Sequence, residues 1–123
     1  MQTKQLPEHY DNLAPDGSEI RGLLRLAGGN MVHCTLPAGK TSLAVAHKTV
    51  EEIWYFLSGQ GEVWRKNGQD EEVTAVLAGI CLTIPLGTGF QFRNVGEEPL
   101  CFVIATIPPW PGQQEAFPVP GKW

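Results

Sequence analysis

Histidine and cysteine are both scarce in this 123-residue chain, at three copies each. Cys34, Cys81 and Cys101 match neither a zinc-knuckle spacing nor a Cys-x-x-Cys redox pair, which predicts reduced, buried thiols acting as small hydrophobes. Clusters of Lys and Arg are absent: 9 basic residues stand against 13 acidic ones, for a net charge of -4. That balance lacks the basic footprint a nucleic-acid binder needs. Apolar runs long enough to cross a bilayer are missing too, and the opening MQTKQLPEHYDNL puts no apolar stretch behind a basic start. The expectation is a cytoplasmic protein that partners neither nucleic acid nor membrane. Helical periodicity is lacking over any stretch of a dozen residues, which leaves little room for helices.

What is abundant is punctuation. Gly (14) and Pro (10) divide the chain into short segments rich in Val, Ile, Leu, Thr and aromatics, the profile of an all-β domain. The predicted strands are 20–26, 31–36, 42–47, 52–57, 61–66, 72–77, 80–85, 89–94 and 100–107. Asn67-Gly68 between two of them marks a tight hairpin. Several segments are apolar on both parities: in EIWYFL, Ile53, Tyr55 and Leu57 share one face, while Trp54 and Phe56 share the other with Glu52. Burial on both faces suits a sandwich or a jelly-roll barrel. The chain reads as one domain over 1–123, with an N-terminal arm at 1–19 and a Pro-rich tail at 108–123. Five prolines in that tail predict an extended segment outside the sheets.

Two blocks carry a more specific pattern. In the first, Gly39 is followed by KTSLA, Val45-Ala46-His47, KTVE, Glu52, IWYFLS and Gly59; in the second, Gly79 is followed by ICLTI, Pro85-Leu86-Gly87, two residues, Phe90, QFR and Asn94. These spacings resemble the two motifs of the cupin superfamily, small double-stranded β-helix barrels. The resemblance implies that fold, and it implies a divalent-metal site held by three histidines and a glutamate. Carried over, the four ligand positions are Val45, His47, Glu52 and Phe90, of which two can coordinate a metal. A shift of one residue restores no histidine, since the neighbours are Ala44, Ala46, Gly89 and Gln91.

No cofactor is therefore expected, with one alternative. His33 precedes the first motif, and if it faces the interior, His33, His47 and Glu52 make a two-His, one-carboxylate set of the kind that suits iron. If it faces outward, they do not. His47, as the base, and Glu52, as its partner, remain the candidate catalytic pair, because a histidine beside a buried carboxylate suits acid/base work. Val45, Trp54, Phe56, Phe90 and Phe92 share the parities that the motifs turn inward and are the candidate ligand-binding walls. The same aromatics would equally serve to fill a packed barrel. Trp110, on a stiff Pro-Pro-Trp-Pro-Gly frame, either crosses the barrel mouth or packs on a second subunit.

Function then has three candidate forms. One is a cupin that binds an unidentified small molecule, as a binding protein or as a metal-independent isomerase acting on a carbonyl or sugar-like compound. Another is a divalent-metal-dependent oxygenase or isomerase using His47 and Glu52, with either His33 or a water completing the shell. The third is a structural or regulatory dimer with a packed barrel. Small domains of this kind pair through their sheets, so a homodimer is expected in each case.

Overall fold

The computed structural model describes all 123 residues. Eleven strands follow one another along the chain: β1 (Asn12–Leu13), β2 (Glu19–Leu26), β3 (Gly29–Leu36), β4 (Val45–His47), β5 (Glu51–Ser58), β6 (Gln60–Asn67), β7 (Asp70–Leu77), β8 (Cys81–Ile84), β9 (Gly89–Asn94), β10 (Leu100–Ile107) and β11 (Ala116–Pro118). Every pairing is antiparallel. A six-stranded sheet runs β1-β2-β3-β10-β5-β8, and a five-stranded sheet runs β11-β4-β9-β6-β7. Together they make the all-β double-stranded β-helix that the two blocks implied.

All nine predicted strands are present, with three local differences. The segment 42–47 begins its strand only at Val45, because Ser42 turns aside: its Oγ accepts from the Phe92 amide at 3.0 Å. The tail is not outside the sheets. Its β11 pairs with β4 in the register Ala116↔His47, Phe117↔Ala46 and Pro118↔Val45, and the proline is tolerated because β11 is an edge strand. The hairpin between β6 and β7 has Gly68-Gln69 at its tip, with Asn67 paired to Asp70. Only Gly68 takes positive φ there, which leaves Asn67 in the ladder with its Nδ2 donating to Thr88 Oγ1. Of the cysteines, Cys34 is buried, Cys101 half-buried and Cys81 exposed, so the expected burial fails at Cys81.

The motif residues act as corners. Gly59 has φ 86°, and a Cβ there would lie 2.4 Å from the Pro99 carbonyl oxygen, so no other residue fits without moving backbone. Asn94 donates from Nδ2 to the Leu36 and Glu98 carbonyls and accepts from Gly96 N. It therefore closes the loop between β9 and β10.

Register stacks the inward-facing side chains of the six-stranded sheet in layers. Phe102 lies opposite Phe56 and Cys34, Ile104 opposite Trp54 and Val32, and Thr106 opposite Glu52 and Asn30. The first layer is the densest. Phe102 packs on Trp54 (ring centroids 4.7 Å), Phe56 (4.6 Å) and Phe92 (5.4 Å), while Trp54 meets Phe90 edge-on at 5.3 Å. Edge and tilted arrangements of this kind add stabilisation beyond that of the area they bury. The barrel is thus aromatic at one end and changes to polar within two layers.

Candidate functional site

Beyond the aromatic layers lies a cavity of about 300 Å³. Residues of the N-terminal arm and β2 form one wall, β3 and β10 contribute Val32, Ile104 and Thr106, and Trp110 comes from the tail. Val45, His47 and Glu52 line it. Trp54, Phe56, Phe90 and Phe92 do not; they lie in the core cluster behind it. Parity turns them inward, but their layer puts them in the packed end.

Glu52 is buried at 6% exposure. Its Oε1 accepts from Trp54 Nε1 at 3.0 Å, the same-face residue two positions on, and its Oε2 accepts from Thr106 Oγ1 at 2.9 Å across the sheet. Both bonds favour the carboxylate, yet burial outweighs them, and the nearby carboxylates of Asp16 and Glu115 push the same way. The Glu52 pKa rises to about 7. His47 moves oppositely: burial lowers it to about 4, against a partial pull upward from Glu115. Its Nδ1 lies 4.0 Å from Glu52 Oε1 and has no hydrogen-bond partner. Near pH 6 both groups are neutral, so their approach is not an ion pair.

Trp110 packs edge-on against His47 with ring centroids 5.1 Å apart. Its amide donates to Asn30 Oδ1 at 2.6 Å and its carbonyl accepts from Arg25 Nη1 at 3.0 Å. Of the two placements the sequence left open, it occupies the one across the barrel mouth. Behind it, Glu115 accepts from Thr49 N and Thr49 Oγ1, each at 2.6 Å, and from Val50 N at 3.0 Å. Burial raises its pKa, but these bonds outweigh burial and hold it below the usual value. Glu115 thereby ties the tail to the turn before β5.

His33 faces away from the cavity. It pairs with Val103 on one side and Arg21 on the other, on the parity opposite to Val32 and Cys34. Burial and the Arg21 charge depress its pKa. The conditional set His33, His47 and Glu52 therefore does not converge, and no three His, Cys, Asp or Glu side chains come together as a metal cluster. A divalent metal does not fit these residues, since open sites need about three protein ligands. The purified protein is expected to carry less than about a tenth of an equivalent of any transition metal, measured by elemental analysis; a stoichiometric metal would contradict this donor set.

Asp16, Asn30, Thr106 and Arg25 line the cavity beside Trp110 without having been singled out in the sequence. Asp16 sits in a Pro-Asp-Gly turn, a common surface signal. Its Oδ1 accepts from Ser18 N at 2.9 Å and Ser18 Oγ at 2.6 Å, and burial raises its pKa. Thr106 is the one polar side chain in the inward row of β10.

Residues 32–106 match a family model described as Cupin domain. An uncharacterised protein of Methanocaldococcus jannaschii is 31% identical over 116 residues, covering 87% of this chain and 90% of that protein. Among solved structures, a double-stranded β-helix protein from Klebsiella pneumoniae superposes with a TM-score of 0.69 at 22% identity, covering 85% of each chain. Streptomyces PAC13, determined with uridine, superposes at 0.72 with 16% identity, covering 97% of this chain and 92% of that one. At such identities the two structures share the fold alone.

Proposed function

This chain belongs to the cupin domain family, and from that premise we propose that its barrel binds a small molecule and moves a proton on it without a metal, as an isomerase of carbonyl or sugar-like compounds. The observation that carries this is Glu52: a buried carboxyl with a pKa of about 7, open to a 300 Å³ cavity. General acid/base groups work best when their pKa lies near the working pH. Such a carboxyl is the base when ionised and the acid when protonated. It takes the proton from the hydroxyl-bearing carbon beside a carbonyl and returns it to the former carbonyl carbon, while the proton of that hydroxyl passes to the former carbonyl oxygen.

His47, at a pKa of about 4, is a poor base at neutral pH. We assign it the acceptor that orients a substrate hydroxyl or amine, which reverses the division of labour expected from the sequence. Thr106 and Trp54 hold the Glu52 carboxyl in place. The test is hydrogen-for-deuterium exchange at carbon in heavy water, followed by NMR over a panel of small carbonyl compounds with chelator present. Exchange that survives the chelator and depends on Glu52 supports the proposal; exchange on none of them, or only with added metal, defeats it.

We further propose that two copies pair through the outer face of the six-stranded sheet. Met31, Ile53, Tyr55, Leu57 and Ile107 stand there, each 42–46% exposed. A dimer in sedimentation analysis that becomes monomeric in Tyr55→Glu is the expected result, because a charge buried in an apolar interface costs several kcal/mol. A dimer untouched by that change would place the interface elsewhere.

A further inference from the structure

Where Asp16, His47 and Glu52 line it, the cavity is walled by hydrogen-bond acceptors. His47 is 6% exposed with Nδ1 unpartnered. Asp16 commits Oδ1 to Ser18, while its Oδ2 accepts no hydrogen bond. Glu52 presents a carboxyl, and Asp11 adds another whose Oδ2 already accepts from Gly22 N at 2.7 Å. The one cation lining the cavity is Arg25, exposed at the rim, with its Nη1 on the Trp110 carbonyl. The rest is largely apolar: Ile20, Val32, Val45, Ile104 and Ala116.

This distribution discriminates by charge. A carboxylate or phosphate would have to shed water beside Asp16 and Glu52, whose own wall faces it with acceptors; the donors lining the cavity, Asn30 Nδ2, Trp110 Nε1 and Arg25, stand on β3, the tail and β2. A primary ammonium brings three donors and a positive charge to a wall of acceptors. The acidic groups do not converge as a metal cluster. We infer that the cavity takes a small primary amine, such as an amino-carbonyl or amino-sugar-like compound, with its ammonium at the Asp16, His47 and Glu52 wall and its carbon body against Val32, Val45 and Ile104. The inference rests on the cavity being a ligand site and narrows its substrate class.

Cyclohexylamine, cyclohexanol and cyclohexanecarboxylate are matched probes in size and differ in charge. Binding is followed at neutral pH by amide and imidazole NMR shifts of Thr106, Asn30 and His47. The amine is expected to bind at least about tenfold more tightly than the carboxylate, equivalent to about 1.4 kcal/mol, and also more tightly than the alcohol. Asp16→Asn keeps an oxygen for Ser18 and should reduce that preference to about threefold or less. If its amide spectrum shows misfolding, Glu52→Gln reads the same ratio. A carboxylate or alcohol that matches the amine, or a preference unmoved by the variant, overturns the charge inference and leaves the ligand site standing. Failure of all three probes to shift any cavity residue overturns both.

Discussion

Glu52→Gln is expected to slow proton exchange on a bound carbonyl compound by roughly 100- to 10,000-fold, the span that a positioned general acid/base contributes. The fold should survive, because the amide oxygen still accepts from Trp54 Nε1 and the Thr106 hydroxyl can turn to accept from the new amide nitrogen. Stability as a function of pH separates a lost proton carrier from a damaged core. In the native protein the Glu52 pKa is raised from 4.5 to about 7, so the unfolded chain releases this proton first and stability falls as pH rises across that window. His47 is lowered from 6.5 to about 4, so the unfolded chain binds this proton first and stability rises with pH across that window. Between about pH 4.5 and 6.5 the two slopes oppose each other and nearly cancel. In Glu52→Gln the falling contribution of this pair is gone and the histidine's remains, so urea midpoints should climb more steeply through that interval than in the wild type. A variant with wild-type exchange, or with the wild-type plateau, would remove Glu52 from the role proposed for it.

Phe102→Ala should cost about 3–5 kcal/mol, the range for truncating a fully buried aromatic. Phe102 is 0% exposed and touches Trp54, Phe56 and Phe92 at once, so its neighbours belong to both sheets. The space left behind cannot close without shifting one sheet against the other, which places the effect toward the upper end. Urea unfolding followed by tryptophan fluorescence measures it. A loss under about 1 kcal/mol would mean that this end of the barrel is loosely packed.

Much of the barrel was legible because strand alternation and turn chemistry are local. The nine predicted segments needed only their own apolar periods and the Gly and Pro between them. The two strands that were missed, Asn12–Leu13 and Ala116–Pro118, are too short to show a period and exist because a partner strand is there to pair with. Half of the candidate site was equally readable: His47 and Glu52 follow from motif spacing. The rest depended on distance along the barrel axis, which parity does not encode. Phe56 and Glu52 share a face of one strand, yet one is in the packed end and the other on the cavity. His33 points outward because Val103 and Arg21 flank it in the ladder, and register between distant strands is not written at position 33. Asp16, in an ordinary turn, reaches the cavity only because the arm folds back over the sheet.

The cavity is also closed by a segment distant in sequence from the rest of its walls. Its floor and most of its walls come from residues up to Thr106, whereas Trp110, Gln113 and Ala116 follow them in the chain. Trp110 is fastened to Arg25 and Asn30, 85 and 80 residues before it, and gives His47 a second edge-on aromatic neighbour beside Phe90. Because β11 is an edge strand, local opening of residues 108–118 would uncover His47 and Glu52 while the central strands of both sheets stay paired.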